Sequence, residues 1–201
     1  DREVYTTAGR SRLVDSTQIL EADLLDYDGA KGEGFASGKV YWQDTSRKIS
    51  IKSSRALYRK DCEFLLASGL RPLFITEMDQ DSLFMTADTL ESSQICADSL
   101  SGTGEARHLK AYHDVRIFKS NLQGLCDSMR YSTQDSLFVL FYDPVLWSDT
   151  SQFLADTIAI QMANSQIDRI FLNQNALLVN STDQQFFNQV KGRHITAFFQ
   201  D

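Results

Sequence analysis

The chain has 201 residues, of which 42% are hydrophobic and 23% charged, and its formal net charge is −7. This size is enough for a sizeable core, and the composition is ordinary for a globular protein. Lys and Arg are scattered along an acidic chain, which argues against a nucleic-acid partner because phosphate binding depends on clustered cations. No segment approaches the roughly 20 apolar residues of a membrane-spanning helix.

The N-terminus and the cysteines leave the compartment open. Residues 1–4 lack the apolar run of a signal peptide, so either no signal exists or it was removed before residue 1. Cys62, Cys96 and Cys126 have neither the spacing of a zinc site nor that of a disulfide framework. We expect buried or half-buried free thiols, with one intrachain pair at most.

Short segments with a period of two predict strands. In chain order, the clearest are residues 39–43, 115–119, 137–142, 158–162 and 193–199. Clusters of Asp, Ser, Asn, Thr and Gly separate them, and such residues favour turns. No window longer than about ten residues carries an amphipathic helical stripe. The predicted fold class is therefore all-β, as a sandwich, barrel or β-solenoid.

Two motifs alternate along the chain. A small residue followed by Asp recurs roughly every 30 to 40 residues. It occurs at Ala22-Asp23, Ala87-Asp88, Cys126-Asp127 and Ala155-Asp156, with weaker versions at Ser54-Arg55 and Gly192-Arg193. The second motif lies between these, at residues 36–40, 67–70, 111–115, 141–145 and 173–177. A repeat of this size cannot bury its own apolar face, so the repeats are predicted to stack around one core as a single domain, residues 1–201.

The order and spacing of these motifs resemble those of the OstA-like family, which includes the periplasmic lipopolysaccharide transport protein LptA. The C-terminal half is most similar to the long OstA-like proteins of Bacteroidetes. The resemblance covers roughly residues 15–201, and residues 52–75 fit it least, with Arg55 where Asp is expected. The segments that carry it are residues 110–116, 123–128, 143–147, 155–158, 167–170 and 187–193.

The resemblance implies both a fold and a function. The fold is a stack of antiparallel strands in a folded, V-shaped β-jelly roll (a β-taco with solenoid-like repeats). The function is to bind lipopolysaccharide through its lipid A acyl chains and to carry it across the periplasm to the outer membrane. Such domains join head to tail with further copies or with other Lpt-type jelly-roll domains. A periplasmic location then implies that a signal peptide was removed.

Apolar faces of predicted strands are the candidate lipid groove. On the strand interpretation, the side chains within each of three strands share a face, and stacking the faces gives an apolar trough. The candidate residues are Val115, Ile117, Leu137, Val139, Phe141, Ile158, Ile160 and Met162. The same pattern also fits a closed core. The alternative is therefore a structural or adhesive β-solenoid that self-assembles through edge strands, such as residues 193–199, without binding lipid.

We find no pattern that favours catalysis, a metal or a cofactor. His108 and His113 fall on opposite faces of a strand, and the chain has no GxSxG or GxxxxGK motif. The repeated Asp residues lack the dense glycine spacing of calcium-binding β-rolls, so we expect hydrogen bonds at corners instead. Of the functions considered, a polysaccharide-acting β-solenoid enzyme is the least favoured, because such an enzyme needs clustered carboxylates and basic residues and the charged residues here are scattered. The protein is predicted not to be an enzyme.

Overall fold

The computed structural model describes residues 4–78, 80–94, 106–164, 166–183 and 185–199, with all of their side chains except those of Ala8 and Asp15. Within these ranges sixteen strands form one antiparallel sheet, and the helical content is a short 3₁₀ helix at Asp61–Glu63. The prediction of an all-β protein is confirmed. Cys96 lies outside the described residues.

The strands all pair antiparallel, and several neighbours in the sheet are not consecutive in the chain. Their bounds are β1 Val4–Asp15, β2 Gln18–Asp28, β3 Glu33–Asp44, β4 Ile49–Arg59, β5 Phe64–Ser68, β6 Leu73–Met78, β7 Asp81–Thr86, β8 Thr89–Gln94, β9 Arg107–Lys119, β10 Leu122–Ser132, β11 Leu137–Phe141, β12 Val145–Ser148, β13 Ser151–Leu154, β14 Thr157–Ala163, β15 Gln166–Asn180 and β16 Asn188–Phe198. Each of the five segments predicted as strands lies within one of these strands, apart from Tyr142 and Phe199, each of which directly follows the end of a strand.

The sheet is folded once along its length into two arms. In β4, residues 55–59 pair with β5, whereas residues 49–52 pair with β6. In β10, residues 128–132 pair with β11, whereas residues 122–125 pair with β12. We call the half that contains β5, β8, β11 and β14 the first arm, and the half that contains β6, β7, β12 and β13 the second arm. The long strands cross from one arm to the other, which gives the V-shaped stack that the family resemblance implies.

The two repeated motifs form the corners at which the chain passes between the arms. The second motif supplies backbone with positive φ, at Gly38, Gly69, His113, Tyr142 and Gln174. The first motif forms the corner of the adjacent strand in the stack, and each such strand is called a strand level. The backbone N–H of Asp88 donates to the carbonyl of His113 at 3.1 Å, and that of Asp156 donates to the carbonyl of Gln174 at 3.0 Å. Each repeat therefore comprises two strand levels, one with each kind of corner.

The poorly fitting repeat is explained by a shift of one residue. Ser54, rather than Arg55, occupies the position of Asp in the first motif. Its backbone N–H donates to the carbonyl of Gly69 at 3.4 Å, as those of Asp88 and Asp156 do at their own corners. The alignment that places Arg55 at this position is therefore wrong by one residue. Ser53 is the small residue that begins the motif here.

Buried alanines lie within two residues of the corners. They are Ala22, Ala36, Ala56, Ala67, Ala87, Ala111, Ala155 and Ala176. We call the line of corners at which the two arms meet the crease. A methyl side chain occupies little space, so the two arms can approach each other closely along it. The small residues that define the motifs are thus explained by packing at the fold line.

Larger apolar side chains continue the interior on both arms, because directly paired residues of neighbouring strands point to the same face. In the first arm, one unbroken row of buried side chains runs through Leu25, Ala36, Ala56, Ala67, Leu90, Ala111, Met129, Leu140, Ile158 and Leu172. In the second arm, the corresponding row runs through Trp42, Ile51, Phe74, Met85, Ile117, Gly124, Leu146 and Phe153. The core is therefore one long apolar strip that spans most of the stacked levels.

The cysteines differ from the expectation of free thiols. Cys62 is disulfide-bonded, so that expectation is wrong for this residue. Cys126 is a free, buried thiol. Burial raises the pKa of Cys126 to about 12, because a thiolate loses its hydration inside the fold.

Candidate functional site: the groove between the arms

Five of the eight candidate residues point into the space between the arms. Val115 and Ile117 face inward from β9 in the second arm, and both are buried. Ile158, Ile160 and Met162 face inward from β14 in the first arm. Ile117, Ile160 and Met162 line one narrow gap of about 20 Å³ between the arms. The structure thus brings residues from distant parts of the chain to one apolar surface.

The other three candidates lie on the opposite face of the first arm. Val139 pairs with Ala159, and Leu140 pairs with Ile158, so Leu140 shares the inner face and Val139 does not. Leu137 and Phe141 each lie two residues from Val139 on the same strand, so they face the same side as Val139. The structure corrects the face assignment here and puts Phe138 and Leu140 on the groove face. Because residues 137–141 are all apolar, period two alone does not say which set is inward.

A cavity of about 510 Å³ lies between the arms on the side away from the crease. The second arm lines it with Ile49, Phe74 and Leu83, and the first arm lines it with Leu109 and Phe138. The Phe138 ring stacks on Tyr131, with the ring centroids 4.0 Å apart and the planes inclined by 20°. This space is within the range of small-molecule sites, and its walls are largely apolar.

A second cavity lies nearer the N-terminal end of the stack. Its volume is about 240 Å³, and its lining includes Leu20, Trp42 and Tyr58. Leu20 and Trp42 pair directly on β2 and β3, so both side chains point into the groove. The apolar space between the arms therefore extends over many strand levels.

A polar bridge joins the tips of the two arms between these cavities. Gln18, at the tip of the second arm, donates from Nε2 to Oε2 of Glu63 at 3.0 Å. Glu63 belongs to the turn at the tip of the first arm, and its carboxylate also pairs with Arg107. Gln18 lines the smaller cavity and Arg107 lines the larger one. This bridge divides the mouth of the groove.

Arg107 is a charged residue at an inward position. It is 5% exposed, and its Nη1 donates to Oγ of Ser92 at 3.3 Å. Burial lowers the pKa of Arg107, and the nearby positive charge of Arg47 lowers it further. Among the described residues, Nε of Arg107 has no hydrogen-bond partner. Sequence reasoning missed this residue, although Arg107 shares its parity with the inward Leu109 and Ala111 on one strand.

On the outer face, a cluster of His113, Asp127 and Ser128 superficially resembles a catalytic triad. Ser128 Oγ donates to Oδ2 of Asp127 at 2.6 Å, and His113 Nδ1 lies 3.3 Å from Oδ1 of the same residue. These two hydrogen bonds hold the pKa of Asp127 below its ordinary value. The serine and the histidine both contact the carboxylate rather than each other, so this geometry does not activate the serine hydroxyl.

The corner Asp residues make hydrogen bonds and ion pairs with neighbouring corners. Asp156 accepts from Nδ2 of Asn175 at 2.9 Å, and Asp23 lies 3.7 Å from Nη1 of Arg10. No group of three or more His, Cys, Asp or Glu side chains able to hold a metal occurs within the described ranges. The part of the chain that the structure describes also contains no helix long and apolar enough to cross a membrane.

Comparison with known proteins places this geometry in context. No protein-family model matches the sequence, and no curated protein sequence matches it. Among solved structures, the chain is similar to LptH from Pseudomonas aeruginosa, the LptA-homologous periplasmic component of its lipopolysaccharide transport device. That match has a TM-score of 0.39 and 10% sequence identity, and it covers 86% of this chain and 93% of LptH. A likeness of this degree assigns neither a family nor a ligand to this protein.

Proposed function

We propose that this protein is a non-enzymatic carrier of lipopolysaccharide, which holds lipid A acyl chains between the two arms and moves them across the periplasm towards the outer membrane. The observation that supports this most strongly is the cavity of about 510 Å³ between two inward apolar surfaces. A close-packed core leaves few voids larger than a water molecule. The open space is therefore unlike a core that only fills the fold.

The energetics suit an acyl chain. Each methylene that leaves water for an apolar wall contributes about 0.8 kcal/mol. The inner faces of both arms continue past the cavity through residues such as Ile117 and Ile160, which lie deeper in the groove. A lipid with several chains would gain this contribution along its whole length without a specific polar contact.

The proposed compartment is the periplasm, with a signal peptide removed from the precursor. The disulfide bond of Cys62 supports it. Disulfides persist in oxidising compartments such as the periplasm and are rare in the cytosol.

The proposed partners are other copies of this chain or Lpt-type jelly-roll domains, joined head to tail. β1 and β16 stand at the two ends of the sheet, and each pairs with one neighbouring strand among the described residues. Exposed apolar side chains lie on both, such as Val14 on β1 and Phe198 on β16. A free strand edge templates the addition of another strand. Sedimentation velocity over a hundredfold concentration range tests this proposal, and a monomer at every concentration would refute self-association.

Residues 1–201 act as one domain in this proposal, because the two arms share one core.

The decisive experiment measures lipid uptake by purified protein expressed in cells that make lipopolysaccharide. Mass spectrometry of the extracted lipid, together with displacement of a fluorescent lipid probe, reports uptake. Bound lipid A supports the carrier function, whereas no lipid and no displacement would leave the structural β-solenoid as the remaining interpretation.

Matched variants locate the uptake in the groove. Ile160→Asp places a carboxylate between the arms, whereas Gln161→Asp places one on the outer face of the same strand. We expect the first to lower uptake and the second to leave it within about twofold of wild type, with both proteins unfolding cooperatively. Phe138→Trp narrows the cavity without burying a charge, and it serves as the test variant if Ile160→Asp does not fold. Equal uptake by the groove variant and Gln161→Asp would overturn the location.

A further inference from the structure

We propose that Arg107 is the headgroup site for an acyl amphiphile that carries a phosphate monoester. This inference rests on the proposed function, since it assumes that acyl chains occupy the groove. It adds a specific polar contact to binding that the proposed function otherwise assigns to apolar walls, and it gives the bound lipid a direction.

The first observation is the incomplete hydrogen bonding of a buried cation. Arg107 is 5% exposed, and its two terminal nitrogens are taken by Glu63 and Ser92. Its Nε remains without a partner among the described residues. A buried donor without a partner costs about 1–3 kcal/mol, and more when the group is charged. A ligand oxygen at Nε would remove this cost.

The second observation is a pair of arginines around one space. Arg47 and Arg107 both line the cavity of about 510 Å³. They reach it from opposite arms, because Arg47 lies in the turn between β3 and β4 and Arg107 begins β9. The charge of Arg47 disfavours the charged form of Arg107 and lowers its pKa. An anion between the two guanidinium groups would replace this repulsion with attraction to both.

The third observation is the order of polar and apolar groups along the cavity. Arg107 and Thr133 lie at the tip of the first arm, and Leu109 and Phe138 lie one row nearer the crease. All four line the cavity. An amphiphile would therefore bind with its headgroup at the arm tips and its chains towards the crease. Hydroxyl groups of Ser92 and Thr133 supply further donors beside the arginines, which suits the several oxygens of a phosphate better than the two of a carboxylate.

Each arginine already has a carboxylate partner, and the two partners differ in freedom. Asp44, which pairs with Arg47, is fully buried. The side chain of Glu63, which pairs with Arg107, is 33% exposed. Glu63 can therefore turn towards solvent when a phosphate approaches Arg107, and it would then release Gln18. Headgroup binding would in this way open the polar bridge that divides the two cavities.

The test compares two probes with the same chain and different headgroups, namely 1-oleoyl lysophosphatidic acid and 1-mono-oleoylglycerol. Affinities are measured by isothermal titration below the critical micelle concentration of each probe. Wild type should bind the phosphate probe at least about tenfold more tightly. Arg107→Gln should remove this preference and leave the affinity for the uncharged probe within about twofold. The control Arg130→Gln makes the same charge change on the outer face and should keep the preference.

The outcomes separate the two proposals. If wild type binds neither probe, the carrier function itself is overturned. If wild type binds both equally, or if Arg107→Gln weakens both equally, acyl binding stands and the headgroup site is overturned. Sodium oleate binding as tightly as the phosphate probe would overturn the choice of phosphate. Inorganic phosphate serves as a competitor in a further experiment. Displacement of the phosphate probe alone by millimolar phosphate supports an anion site at Arg107. Displacement of the uncharged probe as well overturns that site.

Discussion

Leu140 and Ile158 lie directly opposite each other on β11 and β14, and neither side chain is exposed. This pair stands in the middle of the row of buried side chains that runs through the first arm. One residue along the same strands, Val139 and Ala159 oppose each other on the outer face. The boundary between groove and exterior is therefore set by a single step in register.

The first prediction concerns the energy of this inner row. Ile158→Ala should lower the free energy of unfolding by about 2–4 kcal/mol, because it removes buried methyl groups and leaves a cavity. Thr157→Ala changes the adjacent outward residue and should cost less than about 0.5 kcal/mol. Urea denaturation followed by circular dichroism measures both. Similar losses in the two variants would contradict the assignment of faces.

The second prediction concerns a corner. Gly38 has φ +75°, and a Cβ there would lie 2.8 Å from Oδ2 and 2.9 Å from Cβ of Asp23. Gly38→Ala should therefore lower the free energy of unfolding by about 1–2 kcal/mol, because alanine is strained in the left-handed backbone conformation. The clash with Asp23 should lower it further. Gly9 has φ +95° with nothing within 4 Å of the added atom, so Gly9→Ala isolates the backbone cost. Equal unfolding free energies for the two variants would show that Asp23 does not press on the corner.

The third prediction concerns pH. Burial by itself raises the pKa of Asp44, but hydrogen bonds from Ser46 and Arg47, together with the charge of Arg47, outweigh it and leave the pKa below its ordinary value of 3.8. A depressed folded-state pKa means that Asp44 stabilises the fold above pH 3.8 and that this stabilisation fades as pH falls through the lower folded-state pKa. Wild type should thus exceed Asp44→Asn in unfolding free energy at pH 6, and the gap should shrink below pH 4. A gap that stays constant down to pH 2 would refute the pKa assignment.

The fourth prediction concerns the thiols. With Cys62 in a disulfide and the pKa of Cys126 raised to about 12, folded protein at pH 8 should react with no more than a trace of a thiol reagent. Denaturation without reductant should release one thiol per monomeric chain, and reduction should give all three. Three thiols in denatured, unreduced protein would show that Cys62 is unpaired.

Much of the fold follows from local patterns in the sequence. The strands at residues 115–117 and 158–162 alternate apolar with polar or small residues, so their inward faces can be predicted. The Ala-Asp motifs mark corners because small side chains and backbone hydrogen bonds are both required there. These features depend on a few neighbouring residues and on general rules of strand geometry.

The remainder depends on contacts between distant residues. In residues 137–141 every side chain is apolar, so only pairing with β14 decides that Phe138 and Leu140 face the groove. The ion pair of Glu63 with Arg107 joins residues separated by 44 positions, and no local pattern indicates it. An inward arginine on β9 breaks the apolar alternation. This break is the sequence signal for the polar end of the cavity, and reading it requires knowing where the strand starts.

The carrier function is tested most directly by cross-linking. A photoreactive p-benzoylphenylalanine replaces either Phe138, which lines the cavity, or Phe141, which lies on the outer face of the same strand. Both exchanges start from the same residue type, and irradiation takes place in cells that make lipopolysaccharide. We predict a lipopolysaccharide adduct at position 138 and none above background at position 141. Equal adducts at both positions, or an adduct at 141 alone, would contradict binding between the arms.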